Sequence, residues 1–387
     1  MKKILLYSTL FISTLIIFSR IARAQTGINY TAPQIRLPLT QTAPTIDGVI
    51  NDDEWKGADR MERFGRPAPL SPQLASFWVG GDAQNLYIAV RSQTPPDGKL
   101  LARVNQLPGD ADARTYYDDS IELVIDPQHS SQSAHNLYHA IFNAKGAIYD
   151  MAIPTGGGAQ PWRGKWQIGS KVTGDTWNFE VAIPWSDVGA SAEDLQSGIG
   201  LRIGRNWKQT TTAAQTEWSP LGGPYLTPGT LPVVTFDADA PVVQVLQLQD
   251  ANDQHLHIKM AVRNPHPTPI TVKTTISTTP QNSLNKTEQK TLTIAPGATE
   301  IVEQDIALGQ IDLSEALSSD IQVTSADGKS TFYRRNFAWQ LRRPTSLWTL
   351  DQSAAKQAAT VFAYYPSYHV IKLRKSGASE RRACDVA

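Results

Sequence analysis

The sequence predicts an all-β chain: an antiparallel β-sandwich followed by a second, smaller sandwich. Three observations carry that expectation. Short runs of apolar and β-branched residues recur from Gln34 to Trp339, Gly, Asn, Asp and Pro punctuate them, and helical periodicity is nearly missing. Many short strands with frequent turn signals and little helix describe packed sheets.

In chain order, Met1–Ala24 has the three parts of a secretory signal. Lys2 and Lys3 supply charge, Leu5–Phe18 is apolar, and Ala22-Arg23-Ala24 is a small-x-small cleavage site. The apolar run is short for a membrane span. The mature chain is therefore expected to start at Gln25 and to be secreted, periplasmic or held at the cell surface, with no transmembrane span. The first sandwich is expected over residues 34–237. Its strands are read at Ala75–Val79, Leu86–Arg91, Ile121–Asp126, Leu137–Asn143, Ile148–Ile153, Lys165–Val172, Trp177–Ile183, Leu201–Trp207 and Val233–Phe236. Gly80-Gly81-Asp82, Lys145-Gly146 and Thr173-Gly174-Asp175 mark turns. Only Asn51–Asp59 and Trp185–Val188 read as helical turns, and Pro154–Gly164 reads as a long loop.

Composition changes near residues 237–241. Eight of the ten tryptophans lie between Trp55 and Trp218, and none follows until Trp339. Seven further strands are read at Val242–Leu248, His255–Arg263, Ile270–Thr278, Thr291–Ile294, Glu300–Ile306, Ile321–Thr324 and Thr331–Trp339. Seven alternating strands over roughly a hundred residues describe an immunoglobulin-like sandwich, expected at residues 241–342. It carries no clustered His and no exposed aromatic run, so it reads as a spacer. Residues 343–387 read as a linker with a short helix at Gln352–Phe362. A strand over residues 362–373 then reads as the opening of a further domain, of which this sequence holds only the front.

Totals exclude several functions. Lys+Arg and Asp+Glu number 36 each, so there is no basic surplus for nucleic acid. One cysteine, Cys384, excludes an internal disulfide, a CxxC redox pair and a Cys-based zinc cluster. Gly198, Gly200 and Gly204 miss the GxGxxG spacing and lie in a strand, so no nucleotide is expected. His129, His135 and His139 sit on a loop running into a strand, not on one helix face, and read as loop and edge histidines.

The run Tyr116–Asp126 organises the rest. Ile121, Leu123 and Ile125 alternate toward a core, leaving Ser120, Glu122, Val124 and Asp126 on the opposite face, with Tyr116, Tyr117, Asp118 and Asp119 at the entrance. Rings cover the C–H face of a sugar while a carboxylate accepts its hydroxyl protons. A merely solvated strand face explains the same residues. Asp118, Asp119, Glu122, Asp126, Asp150, Glu180 and Asp187 also supply carboxyls for glycoside hydrolysis, which needs two of them about 5–10 Å apart. Three readings stand: a sugar-binding protein, a glycoside hydrolase using Asp119 or Glu122, and a structural surface protein whose sugar site is vestigial.

Six stretches, in order, resemble the family 9 carbohydrate-binding modules. They are Ile46-Asp47-Gly48 through Trp55, Asn85–Val90, Tyr117-Asp118-Asp119-Ser120-Ile121-Glu122-Leu123, Tyr138–Asn143 with Gly146, Trp177–Trp185, and Glu217-Trp218-Ser219-Pro220 up to Phe236. The resemblance implies a non-catalytic sandwich that binds oligosaccharide or polysaccharide ends in polysaccharide breakdown, with a structural calcium. It places stacking rings at Tyr116 and Tyr225, where the family has tryptophans, and polar contacts at Glu122, His139 and Asn143. A family arginine falls on Ile141. Haem-binding relatives use a Met and a His, for which Met151 and His139 are the available pair; no haem is expected.

Overall fold

Period-two alternation is realised as twenty strands in the body of the chain. The computed structural model describes residues 29–339, apart from 66–67, 96–98, 106–113, 130–135, 155–156, 209–213, 222–225, 250–254, 281–285 and 308–316, together with strands at 360–364, 370–374 and 383–386. The expected export signal, His135 and Tyr225 lie outside the described residues.

The front half contributes β1 (Gln34–Leu37), β2 (Asp59–Glu62), β3 (Ala75–Gly81), β4 (Asn85–Gln93), β5 (Ser120–Asp126), β6 (Asn136–Asn143) and β7 (Ile148–Pro154). It continues with β8 (Gln160–Pro161), β9 (Gln167–Thr173), β10 (Thr176–Pro184), β11 (Ile199–Trp207), β12 (Ala214–Glu217) and β13 (Val233–Phe236). The rear half contributes β14 (Val242–Gln249), β15 (His255–Arg263), β16 (Ile270–Pro280), β17 (Lys286–Ile294), β18 (Thr299–Ala307), β19 (Leu317–Ser325) and β20 (Thr331–Trp339). One short helix, α1 (Ala192–Ser197), escapes the sequence because six residues hold less than two turns. A capping box starts it: Ser191 Oγ accepts from the Asp194 amide while the Asp194 carboxylate accepts from the Ser191 amide.

Two sheets face each other. The larger runs β17-β16-β19-β20-β1-β13-β11-β5-β6-β7-β8, with β12 on β11; the smaller runs β18-β15-β14-β2-β3-β4-β10-β9. The expected all-β architecture is present, but the sheets are mixed rather than purely antiparallel. β1 runs parallel to β13, and β14 parallel to β2. Each parallel pair joins strands separated by a long stretch of chain, as such pairs require.

Several details of the sequence reading change. The loop at Pro154–Gly164 contains β8, which pairs with β7. The strand expected over 362–373 is two strands, β21 (Thr360–Tyr364) and β22 (Val370–Arg374), and β23 (Ala383–Val386) completes an antiparallel trio. Pro366, between the first two, has no amide hydrogen for a ladder. The end of the helix expected at 352–362 belongs to β21, and the rest of that helix lies outside the described residues.

The composition boundary near residue 240 is crossed by structure. β20 pairs with β1 and β14 with β2, so both sheets run through both halves. One buried cluster extends from Ile35 and Phe77 to Phe337 and Trp339. Buried polar groups reinforce the junction. Asp59 Oδ1 accepts from the Val243 amide at 2.7 Å, and Arg335 donates to the carbonyls of Glu62 and Arg63 at 2.7 and 2.5 Å.

The first motif of the front half covers the outside of the smaller sheet. Ile46, Ile50 and Trp55 pack on Trp78, Tyr87, Ala89 and Ala182. Glu180 on β10 fastens this cover, accepting from Trp55 Nε1 at 2.9 Å and from the Gly48 and Asp47 amides at 2.7 and 3.2 Å. Gly48 has φ +83°, and β9 approaches so closely that a Cβ there would lie 3.0 Å from Ser170 backbone atoms.

Candidate ligand-binding cleft

β5 lies between β6 and β11 in the larger sheet, and the register lines up one row of side chains across its outer face. Tyr149 on β7 stands opposite Ile141 on β6, Ile141 opposite Glu122 on β5, Glu122 opposite Gly204 on β11, and Gly204 opposite Glu217 on β12. Glycine contributes no side chain, so a gap is left between the two carboxylates. The adjoining rows bring His139 and Arg202 to one side of Glu122, and Asn206 and Gln215 to the other.

Glu122 is the floor of this arrangement. Its Oε1 accepts from His139 Nε2 at 2.8 Å, and its Oε2 accepts from Asn206 Nδ2 at 2.6 Å and Gln215 Nε2 at 3.3 Å. Glu217 forms an ion pair with Arg202 at 2.7 Å, and Arg202 also donates to Thr230 Oγ1 at 2.7 Å. Burial pushes the Glu217 carboxyl up to about 7; Arg202 opposes the rise and Glu122 adds to it.

Aromatic rings form the wall. Tyr116 and Tyr117 sit on a short turn (Thr115–Tyr117) whose Thr115 hydroxyl donates to the Ile141 carbonyl at 2.9 Å. The two residues are 36% and 58% exposed. The Tyr116 ring meets Tyr117 at 4.5 Å and Tyr149, edge to face, at 5.5 Å; Tyr149 in turn meets His139 at 6.1 Å. Tyr116 is thus linked to Glu122 through Tyr149 and His139.

Other expectations are corrected. The outer face of β5 is not solvated: all seven residues are buried, because neighbouring strands and the turn at Pro228–Thr230 lay polar side chains over it. Asn143 is fully buried and its amide is used by the chain. Its Nδ2 donates to the Val104 carbonyl and Asp118, and its Oδ1 accepts the amides of Lys145 and Ala147. That leaves it nothing to offer a ligand. Asp118 and Asp119 are equally committed. Asp118 accepts from the Val104 amide at 2.9 Å, and Asp119 from the amides of Leu101 and Lys208 at 2.7 and 2.9 Å. They pin neighbouring segments instead of facing the cleft, so Asp119 is a poor candidate acid.

Tyr149, Arg202, Asn206, Gln215 and Glu217 were missed. The signal was there in β11, where Arg202, Gly204 and Asn206 alternate with Leu201, Ile203 and Arg205.

For the calcium implied by the resemblance, no three His, Cys, Asp or Glu side chains converge among the described residues. Asp119 and Glu180 accept from the chain's own N–H groups, while Asp118 uses Oδ2 in this way and keeps a buried Oδ1 without a hydrogen bond. Calcium asks for six to eight oxygens, which these side chains do not offer. His139 and Met151 do face each other across β6 and β7, but His139 Nε2 is bonded to Glu122 and Met151 accepts from the Tyr149 hydroxyl.

Residues 46–225 match the family model described as Carbohydrate family 9 binding domain-like. This stretch is a family 9-like domain. A family 9 carbohydrate-binding module from Caldicellulosiruptor kristjanssonii in complex with cellotriose is similar over 53% of this chain and 93% of its own, at 16% identity and a TM-score of 0.38. The module from the same organism in complex with glucose matches over 53% and 95%, at 17% identity and a TM-score of 0.38. No curated protein matches the sequence. The family 9-like domain takes in the cleft's wall and floor, from Tyr116 to Glu217, and ends at the segment that includes Tyr225.

Proposed function

We propose that the chain is an exported, non-catalytic protein that binds the end of an oligosaccharide or polysaccharide over Glu122. One observation supports this above the others: a carboxylate held by three side-chain donors lies at the foot of an exposed tyrosine wall. Fixed donors around an acid keep its remaining lone pair aimed at a ligand hydroxyl at little entropic cost. Tyr116 stacks on the sugar's C–H face, and Tyr225 is the proposed opposite ring. The rear strands act as an immunoglobulin-like support, and Met1–Ala24 directs export.

Calorimetry of the purified full-length mature chain with cellotriose, followed by a glycan array, tests the reading. Saturable one-site binding that is lost in Glu122→Ala is expected. No binding to any glycan overturns it, and release of product from labelled oligosaccharides moves the cleft to the hydrolase class.

A further inference from the structure

A second concavity shares no residue with the cleft and is independent of the sugar reading. It has a volume of about 740 Å³ and lies at the junction of the two halves, lined by front residues such as Trp185, Leu195 and Phe236 and by rear residues such as Val242, Arg263 and His266. That size fits a small organic ligand, and pockets of this kind favour junctions between structural units.

We propose that this cavity binds a small molecule with an apolar ring body and one anionic head group. The body is argued from the floor. Trp185 and Phe236 meet edge to face at 5.6 Å, and Leu195 and Val242 extend the same buried apolar surface. Leu39, at 44% exposure, leaves a further apolar side chain uncovered in the lining. The walls are fixed before any ligand arrives: Trp185 Nε1 donates to the Asp82 carbonyl at 2.9 Å, and the capping box holds the start of α1. A rigid site loses little ordering entropy on binding.

The head group is argued from the charges. Asp237 is paired with Arg36 at 2.9 Å, Glu54 accepts from the Thr45 hydroxyl at 3.0 Å, and His266 Nε2 donates to the Ala240 carbonyl at 2.8 Å. Arg263 is partly buried and has neither an ion pair nor a side-chain hydrogen bond among the described residues. Its fork of donors is therefore free to take a carboxylate or sulfonate. Lys56 adds a second cation at the rim, against the exposed Asp53.

Calorimetry of the full-length mature chain with naphthoate, and with naphthylmethanol as its neutral counterpart, tests the assignment. One saturable site is expected, with the anion favoured by about tenfold or more, the scale of a charge-assisted hydrogen bond. Arg263→Gln should remove the preference while keeping the neutral compound. Ala192→Trp, at an exposed position of the lining, should block both with the melting temperature unchanged. Absence of saturable binding, an anion preference surviving Arg263→Gln, or full affinity in Ala192→Trp would overturn the proposal. Cellotriose should not displace naphthoate; displacement would place the probe in the cleft and overturn it as well.

Discussion

The two halves use the same kind of strand but bury different things. In the rear half, β17 and β18 expose most of their outward residues, as plain alternation predicts. In the front half, β3, β5 and β11 are buried along their whole length. The difference lies in what covers them. Residues 46–58 lie over the outside of the smaller sheet, and segments around 100–105 and 227–231 cover parts of the larger one. Polar residues on a covered face cannot rely on water, so they bond to one another. Alternation therefore locates a face, while only tertiary structure decides whether it is wet.

The largest effect should come from the seam. Arg335 carries two hydrogen bonds from β20 to carbonyls of the front half, so Arg335→Ala leaves Glu62 and Arg63 carbonyls buried without donors. A loss of about 3 kcal/mol is expected. Because the sheets and core are shared, circular dichroism and tryptophan fluorescence should still report one coincident transition. Fluorescence follows mostly the front half, where eight of the ten tryptophans lie. Separate transitions would break the comparison by making the halves independent.

The next effect belongs to the covered front face and depends on pH. Burial raises the Glu217 carboxyl from 4.5 to about 7, so the folded state holds that proton more tightly than the unfolded chain does. The associated stability is complete below about 4.5 and is lost as pH rises through about 7, amounting to at most about 3 kcal/mol. Denaturant midpoints at pH 5 and pH 8 should differ in the wild type and differ less in Glu217→Gln. An unchanged slope in the variant would assign the pH dependence elsewhere.

These two sites show what the sequence discloses. Strand positions were legible because β-branched alternation and Gly or Asn turns are local properties: Asn143-Ala144-Lys145-Gly146 turns where expected. Glu122 and His139 could be set side by side because they share one hairpin, with Tyr116 on the turn just before it. Arg202, Asn206 and Glu217 arrive from strands about eighty or more residues away, and only register brings them to Glu122. Asn143, Asp118 and Asp119 were misjudged for the converse reason. Polar residues near a cleft and polar residues pinning a loop look alike until their partners are known. The seam was hidden because the change in tryptophan content at residue 240 marks a change in packing style, while β1 and β2 cross it.

A smaller effect sharpens the cleft. Tyr116→Ala removes the exposed wall ring and should weaken sugar binding by about 1–2 kcal/mol without altering the melting temperature. Titration of both proteins with the same glycan decides it. Equal affinities would remove Tyr116 from the site and leave Tyr149 and His139 as the contacting rings.

The smallest effect is the control on the rear half. Thr271 on β16 stands opposite Thr293 on β17, with their hydroxyls 3.3 Å apart on an exposed face. Water can replace either partner there, so the bond adds little beyond what solvent offers. Thr271→Ala should change stability by no more than about 0.5 kcal/mol and leave both cleft binding and the pH slope untouched. A larger loss would mean that this face is covered by something in solution, and the contrast between a wet rear and a networked front would then have to be redrawn around that contact.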